Sequence, residues 1–336
     1  MVAPAAVFVV GNSRSGTTMM GRILGRHPAI RMFRELHFYE ELWAPDAAAV
    51  WSDAQAVTLA ATLLSIERDG YMAQRKTDAW RAAAERLVAG LPPGQRDPEQ
   101  VYCAFLAGEL ERSGKSIACE QTPRNVFYLR QIRDLFPEVL VVEMVRDPRD
   151  VLVSKKNKWK RLYLGDSKRP LRAAVLSWAN YHPLLTARLW VAAVRAGGAA
   201  AGEPRHVRIR FEDFVAAPEP VLRNLCAQLG VPFEPDMLQV EHAGSSVEAD
   251  SSAVGVRADA AGRWRRGGLN PTEIATCQQI AGREMAALGY ELVPARRNPL
   301  RVIGYYLSAP LKLLVALVMN LGRLRSLSAA IKRRLR

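Results

Sequence analysis

Gly11-Asn12-Ser13-Arg14-Ser15-Gly16-Thr17-Thr18 follows directly on the apolar run Ala5 to Val10. An apolar strand, a glycine-bounded loop and a helix opening near Thr17 form the arrangement that builds an anion cradle. Glycines let the backbone come close to an anion, and the first N–H groups of the helix point at it without intrahelical partners. The spacing, Gly, four residues, Gly and then Thr-Thr, is that of a phosphate-binding loop. Thr17 stands where a nucleotide triphosphatase has its Lys, and the loop's cation is Arg14. ATP is therefore not the expected ligand. Asn12, Ser13, Arg14, Ser15, Gly16, Thr17 and Thr18 are the candidate binding residues, through side chains and the backbone N–H groups of residues 15 to 18.

A second candidate site lies far along the chain. Val139 to Val145 is a nearly continuous apolar run, as a strand buried on both faces requires. Arg146-Asp147-Pro148-Arg149-Asp150-Val151-Leu152-Val153-Ser154 follows it. Pro148 suits the first turn of a helix, which puts Ser154 about two turns along. The two segments together resemble the sulfotransferases that use 3′-phosphoadenosine 5′-phosphosulfate (PAPS). In that family an R-S-G-T-T loop holds the 5′-phosphosulfate, and an R-x-P-x-D-x-x-x-S signature binds the 3′-phosphate. The resemblance implies PAPS as co-substrate, with Arg146 and Ser154 on its 3′-phosphate and Arg14 on the sulfonate.

Arg34-Glu35-Leu36-His37-Phe38-Tyr39 lies between these sites in sequence. It is similar to the K-E-x-H-F-F segment of the glycosaminoglycan-type sulfotransferases, whose Glu is the catalytic base. The distance back to His27-Pro28 also matches the tyrosylprotein sulfotransferases, in which the Glu after an H-P pair has that role. The resemblance implies Glu35 as the base that takes the acceptor's proton during attack on sulfur. His37, two residues on, shares a face with Glu35 in an extended segment and joins Glu35 and Arg14 as a catalytic candidate. Plainer readings stand beside these: a helix-start carboxylate for Glu35 and a packed core histidine for His37.

The implied chemistry is in-line sulfuryl transfer, in which fixed donors aimed at the developing charge lower the barrier. Phosphoryl transfer by related loops uses Mg²⁺ held by a second acidic motif. A sulfonate carries less negative charge, and the 139–145 run ends in Arg146 rather than Asp, so no metal is expected. One departure stands out. Cys119-Glu120-Gln121-Thr122-Pro123 is similar to the family's K-T-P or K-S-P segment, but Gln121 replaces the Lys that serves the sulfonate. An amide donates a hydrogen bond without charge, a loss on the order of 1.5–3 kcal/mol. Either the chemistry is slower, or another cation such as Arg124 takes the role.

Further along, Trp178-Ala179-Asn180-Tyr181 falls in a helix predicted from Leu171 to Arg195, and Arg208 to Phe214 predicts a strand closing on Phe211-Glu212-Asp213, read as a strand-to-helix turn with a capping Asp. Arg263-Trp264-Arg265-Arg266-Gly267-Gly268 is similar to the family's late R-W-R or R-K-G segment near the 3′-phosphate, which makes Arg265 a cofactor-binding candidate; a solvated charge pair is the alternative.

Strand, loop and helix alternate around parallel-strand signals, which predicts an α/β fold with a P-loop-like parallel sheet flanked by helices. Residues 40–117 are Ala-rich and helical in pattern, and read as a helical insertion over the active site, at the sheet's carboxyl edge. The sulfotransferase-like domain is placed at 1–295 and a basic, apolar tail at 296–336. The four cysteines have no metal-ligand spacing. The chain enters its first strand at once, so no signal peptide and a cytoplasmic location are expected.

The net charge of +14 resembles a nucleic-acid signature, but residues 296–336 hold ten basic and no acidic side chains, leaving +4 for the rest. The body thus lacks the excess charge and aromatic-basic interleaving of a nucleic-acid binder. Val302 to Gly322 is interrupted by Pro310 and Lys312, which favours a segment lying on an anionic membrane surface, on the inner face of the cell membrane, over a spanning helix. A terminal helix docked on the domain or on a second subunit is the alternative. The leading reading is a PAPS-dependent sulfotransferase acting on a hydroxyl-bearing acceptor, a small molecule, carbohydrate or lipid. The other is a catalytically weak PAPS-binding protein that works as a sensor or partner.

Overall fold

Strand β1 (Ala6–Gly11) is the centre of a five-stranded sheet, with β3 (Ile117–Glu120) on one side and β4 (Leu140–Val145) on the other. β2 (Ile30–Met32) and β5 (His206–Arg210) are the edges, and every neighbouring pair is parallel. The computed structural model describes residues 3–43, 51–71, 74, 77–157, 181–240 and 255–320. After β1 the chain goes to the edge strand β2, returns to β3 beside β1, then crosses to β4 and β5 on the opposite side. The reversal falls between β1 and β4, where ligands of open parallel sheets bind.

All six residues of β1 and of β4 are buried, as their apolar runs require. Phe8 and Val10 face one layer, formed by α2 (Asp53–Asp69), α3 (Arg81–Ala89), α4 (Pro98–Ser113) and α5 (Leu129–Leu135). Val7 and Val9 face the other, with α1 (Thr17–Gly25) and the later helices α8 (Phe211–Ala216) and α9 (Pro218–Leu229). The period of two along the strand thus sorts its side chains between two cores. Beyond β4, α6 (Pro148–Lys156), α7 (Pro183–Ala199) and α10 (Pro271–Ala287) pack through Trp190, Val151 and Met285. Helix α11 (Pro299–Asn320) follows.

The α/β class, the parallel sheet and the flanking helices are as the sequence predicted. The helical segment expected over the carboxyl edge mostly forms the layer against Phe8, held by Leu59, Leu63, Tyr102 and Phe105. It still reaches the edge, where Tyr71, just past α2, lies with its ring centroid 4.6 Å from that of His37. Glu143 interrupts the apolar run of β4, and its burial is matched by His206 at 3.0 Å and Arg208 at 2.9 Å from β5. The four cysteines are free and buried. Trp178-Ala179-Asn180 lies outside the described residues; the helix expected there is described from Pro183.

Candidate active site

The loop after β1 turns through three residues with positive φ: Gly11 at 142°, Arg14 at 79° and Gly16 at 97°. A Cβ on Gly11 would stand 2.2 Å from the Met144 carbonyl oxygen, and one on Gly16 2.6 Å from the Phe211 ring, so both points need glycine. Gly16 caps α1 without a side chain, which leaves the helix's first N–H groups directed into the loop. Asn12, Ser15 and Thr17 are buried, Ser13 is half-buried and Thr18 is exposed. The Ser15 hydroxyl is buried with no hydrogen-bond partner among the described residues.

The second predicted site converges on this loop. Arg14 Nε donates to Ser154 Oγ at 2.9 Å, joining positions 140 residues apart. Arg146 enters from the end of β4. Its guanidinium lies over Phe211, 4.2 Å from the ring centroid, and donates to the Ala260 carbonyl at 2.5 Å. Its Nε is buried with no hydrogen-bond partner among the described residues. Burial and repulsion from Arg146 push Arg14 below the ordinary arginine value, and Glu35 opposes that shift in part. Neighbouring guanidiniums, a buried Nε–H, a buried hydroxyl and a helix N-terminus make a donor set with the chemistry of an anion site. The residues present therefore fit a ligand with phosphate-like groups at two points.

Asp150 pairs with Arg146 at 3.5 Å, and further carboxylates tie together the segments around it. Asp147 caps α6 through the Arg149 N–H at 2.9 Å and grips the buried Arg149 side chain, which lies over Trp264, 3.8 Å from the ring. Asp150 accepts from the Trp264 N–H at 2.8 Å. Glu212 accepts from the Asp147 N–H at 3.0 Å and from the Tyr290 hydroxyl at 2.9 Å. The strand-to-helix turn at 210–211 is present, but no side chain caps α8; Asp213 pairs with Arg210 at 3.5 Å. The working carboxylate of that motif is Glu212, and Phe211 is the floor under Arg146. Both contacts cross from one strand end to the next, which a cap argument confined to the local turn misses. Arg265 pairs with Glu291 at 2.9 Å and lies over Trp264, half-exposed, in the arrangement of a surface ion pair.

On the opposite side, Glu35 and His37 meet at 3.5 Å, with Glu35 the more exposed of the two at 39%. They do so through a left-handed turn at His37, φ 52°, rather than an extended segment. Glu40 takes the other ring nitrogen at 3.4 Å and is itself paired with Arg124. Burial disfavours a charged ring, but the hydrogen bonds to Glu35 and Glu40 outweigh it and raise His37 to about 10. Glu40, despite its own burial, is held down at about 2 by Arg124 and His37. His37 is thus an imidazolium clamped between carboxylates, and Arg124 is committed to Glu40. Glu41, which accepts from the Tyr71 hydroxyl at 2.6 Å, completes a His37–Glu40–Glu41 group close enough to ligate an ion. Arg124 and the imidazolium already supply its positive charge.

Glu120, at the end of β3, fixes this side and was not singled out in the sequence. It accepts from the Leu36 N–H at 3.3 Å, the Thr122 N–H at 3.1 Å, and the Thr122 hydroxyl and Asn125 amide, each at 2.5 Å. Burial pushes its carboxyl up to about 7 against those donors. A cleft of about 370 Å³ opens beside Glu35 and His37, lined also by Thr18 and Arg22 of α1, Phe33, Tyr71 and Gln121 among others. The Gln121 side-chain carbonyl is buried without a partner among the described residues.

A glycine-bounded cradle at the switch point of a parallel sheet defines a P-loop-like α/β protein. The chain belongs to the sulfotransferase family, whose sequence profile matches residues 4–235. It is similar to nodulation protein NoeE of Sinorhizobium fredii (strain NBRC 101917 / NGR234), 23% identical over 233 residues that cover 68% of this chain and 50% of that protein. It thus spans about half of that relative's length. The fold is similar to that of the sulfotransferase domain from the Synechococcus PCC 7002 olefin synthase, with TM-score 0.53, 20% identity, and coverage of 87% of this chain and 98% of that one. It is also similar to the sulfotransferase domain from the curacin biosynthetic pathway, with TM-score 0.51, 22% identity, and coverage of 87% and 100%.

Proposed function

We propose that this chain transfers a sulfuryl group from PAPS to the hydroxyl of a small-molecule, carbohydrate or lipid acceptor. The observation that carries the reading is the Arg14–Ser154 hydrogen bond at 2.9 Å, with Arg146 near enough to depress Arg14. It brings the glycine loop and the R-x-P-x-D-x-x-x-S segment into one donor-rich site. When bound, PAPS supplies a sulfuryl group that leaves its phosphate oxygen for the attacking hydroxyl. The N–H groups of residues 15 to 18 and the Ser15 and Thr17 hydroxyls hold the phosphosulfate end. Arg146 and Ser154 hold the 3′-phosphate, and Arg14 spans the two ends. Glu35, open to the cleft, takes the acceptor's proton, and the His37 imidazolium orients it. No metal takes part in this scheme. A cytoplasmic location accompanies the reading.

Incubation with sulfur-labelled PAPS and a panel of hydroxyl acceptors tests it. Transfer that Glu35→Gln removes supports the assignment; transfer that survives Glu35→Gln refutes the base. A second reading, a PAPS-binding protein with little turnover, is favoured by Gln121, a neutral amide lining the cleft where the family Lys is absent. Tight nucleotide binding with no transfer to any acceptor would select it. An anionic membrane surface as partner rests on the C-terminal helix and not on this site.

A further inference from the structure

Helix α11 turns its large apolar side chains to solvent and hydrogen-bonds the body from one face. Tyr305 accepts from the Asn270 amide at 3.2 Å, His182 and Ser308 share a hydrogen bond at 3.2 Å, and Lys312 donates to the Tyr181 carbonyl at 2.9 Å. Positions 305, 308 and 312 fall on one face at a period of 3.6. The opposite face carries Leu300, Ile303, Leu307, Leu311 and Leu314, which are 79%, 54%, 75%, 62% and 55% exposed. Of the nine large apolar side chains exposed among the described residues, seven are on this helix. A surface helix ordinarily turns such a stripe to the core, and a contiguous exposed stripe marks an interaction surface.

We propose that α11 seats this protein on an anionic lipid bilayer, with the Leu300–Leu314 stripe in the acyl boundary and the polar face holding the body. Charge complementarity selects this occupant. Residues 296–336 contain ten Arg and Lys and no Asp or Glu, and Arg296, Arg297 and Arg301 are exposed at the start of the stripe. A second copy on the same stripe would bring like charges together, whereas anionic headgroups neutralise them. Spanning is disfavoured by Pro310 inside the helix and by Lys312, whose ammonium is bound to the body; among the described residues no helix is long and apolar enough to cross a membrane. An apolar stripe beside clustered cations, lying in the interface plane, is the geometry of a peripheral anchor. This inference is independent of the PAPS site.

Sedimentation of the full chain with vesicles of phosphatidylcholine, alone or mixed with phosphatidylglycerol, is the test. Binding is expected with the mixed vesicles, at least tenfold weaker with phosphatidylcholine alone and weakened by salt. The double variant Leu307→Ser, Leu311→Ser changes no charge and is expected to bind the mixed vesicles at least tenfold less, while its adenosine 3′,5′-diphosphate affinity and melting temperature stay as in the parent. The parent failing to bind mixed vesicles overturns the proposal. So does equal binding by the double variant, which would assign the attraction to charge alone. A dimer in analytical ultracentrifugation that the variant dissociates, without vesicle binding, would give the stripe to a second copy.

Discussion

The two halves of the candidate site are built on opposite electrostatic plans. On the cradle side, Arg14 and Arg146 are neighbours, and the Arg146 Nε–H and the Ser15 hydroxyl lack protein partners among the described residues. On the acceptor side the charges alternate: Glu35, His37, Glu40 and Arg124 form one chain of opposite signs. A half with an excess of donors and like charges is completed by an anionic ligand. A half whose charges cancel is preorganised, and is suited to hold one carboxylate in place while a proton moves. The difference teaches that binding and proton transfer should be separable by mutation.

Glu35→Gln tests that separation most strongly. It should lower kcat by roughly 10²–10⁴-fold, the usual worth of a positioned base, and leave adenosine 3′,5′-diphosphate affinity unchanged. A parallel loss of affinity in calorimetry would break the comparison. Arg146→Ala does the reverse, weakening the diphosphate by roughly 10- to 150-fold if the contact is worth about 1.5–3 kcal/mol. Unchanged affinity would remove Arg146 from the site.

Glu120→Gln sharpens the comparison from behind the acceptor side. Each carboxylate oxygen accepts two of the four donors, so the amide leaves two of them facing an NH₂ group, at a cost of about 1–3 kcal/mol. Turnover should fall about tenfold while diphosphate affinity holds, since that cost lies in the 36–37 and 122–125 loops. A variant with parental kcat would show that the loops keep Glu35 in place without it.

The His37 clamp has a pH signature. Its folded value of about 10 lies above the ordinary 6.5, so the folded state holds the proton more tightly. The stabilisation is complete below 6.5 and is lost as pH rises through about 10. The melting-temperature gap between the parent and His37→Gln should narrow over that window. A constant gap would mean the ring is not charged. The smallest effect belongs to Gln121→Lys, which restores the family's cation and should raise kcat severalfold if one charge-assisted contact of about 1–2 kcal/mol is regained in the transition state. No change would mean that Arg22, on the same cleft, already supplies the charge.

The cradle side was legible in the sequence because its parts are contiguous. A buried strand, a glycine loop and a helix start occupy Ala6 to Gly25, and Leu140 to Ser154 repeats the logic on the next strand. Glu35 and His37 were legible only through resemblance, and the backbone between them is a left-handed turn rather than an extended segment. Glu120 was not legible. One Glu at a strand end carries no signal, because its donors come from residues 36, 122 and 125 and meet only in the fold. Glu212 was passed over for Asp213 because the turn was read locally, whereas its partner, the Asp147 N–H, belongs to the neighbouring strand end. The orientation of α11 was hidden for a similar reason, since Asn270, His182 and Tyr181 are set against it by tertiary contacts. The basic end of the tail, residues 321–336, lies outside the described residues.

Calorimetric titration with adenosine 3′,5′-diphosphate, beside ATP and 5′-AMP, tests the central claim most directly. Tight diphosphate binding, weak binding of the other two, and loss of that preference in Arg146→Ala are expected. Equal affinity for all three would mean that the glycine loop and the Arg146–Ser154 segment do not form one site, and would contradict the PAPS reading.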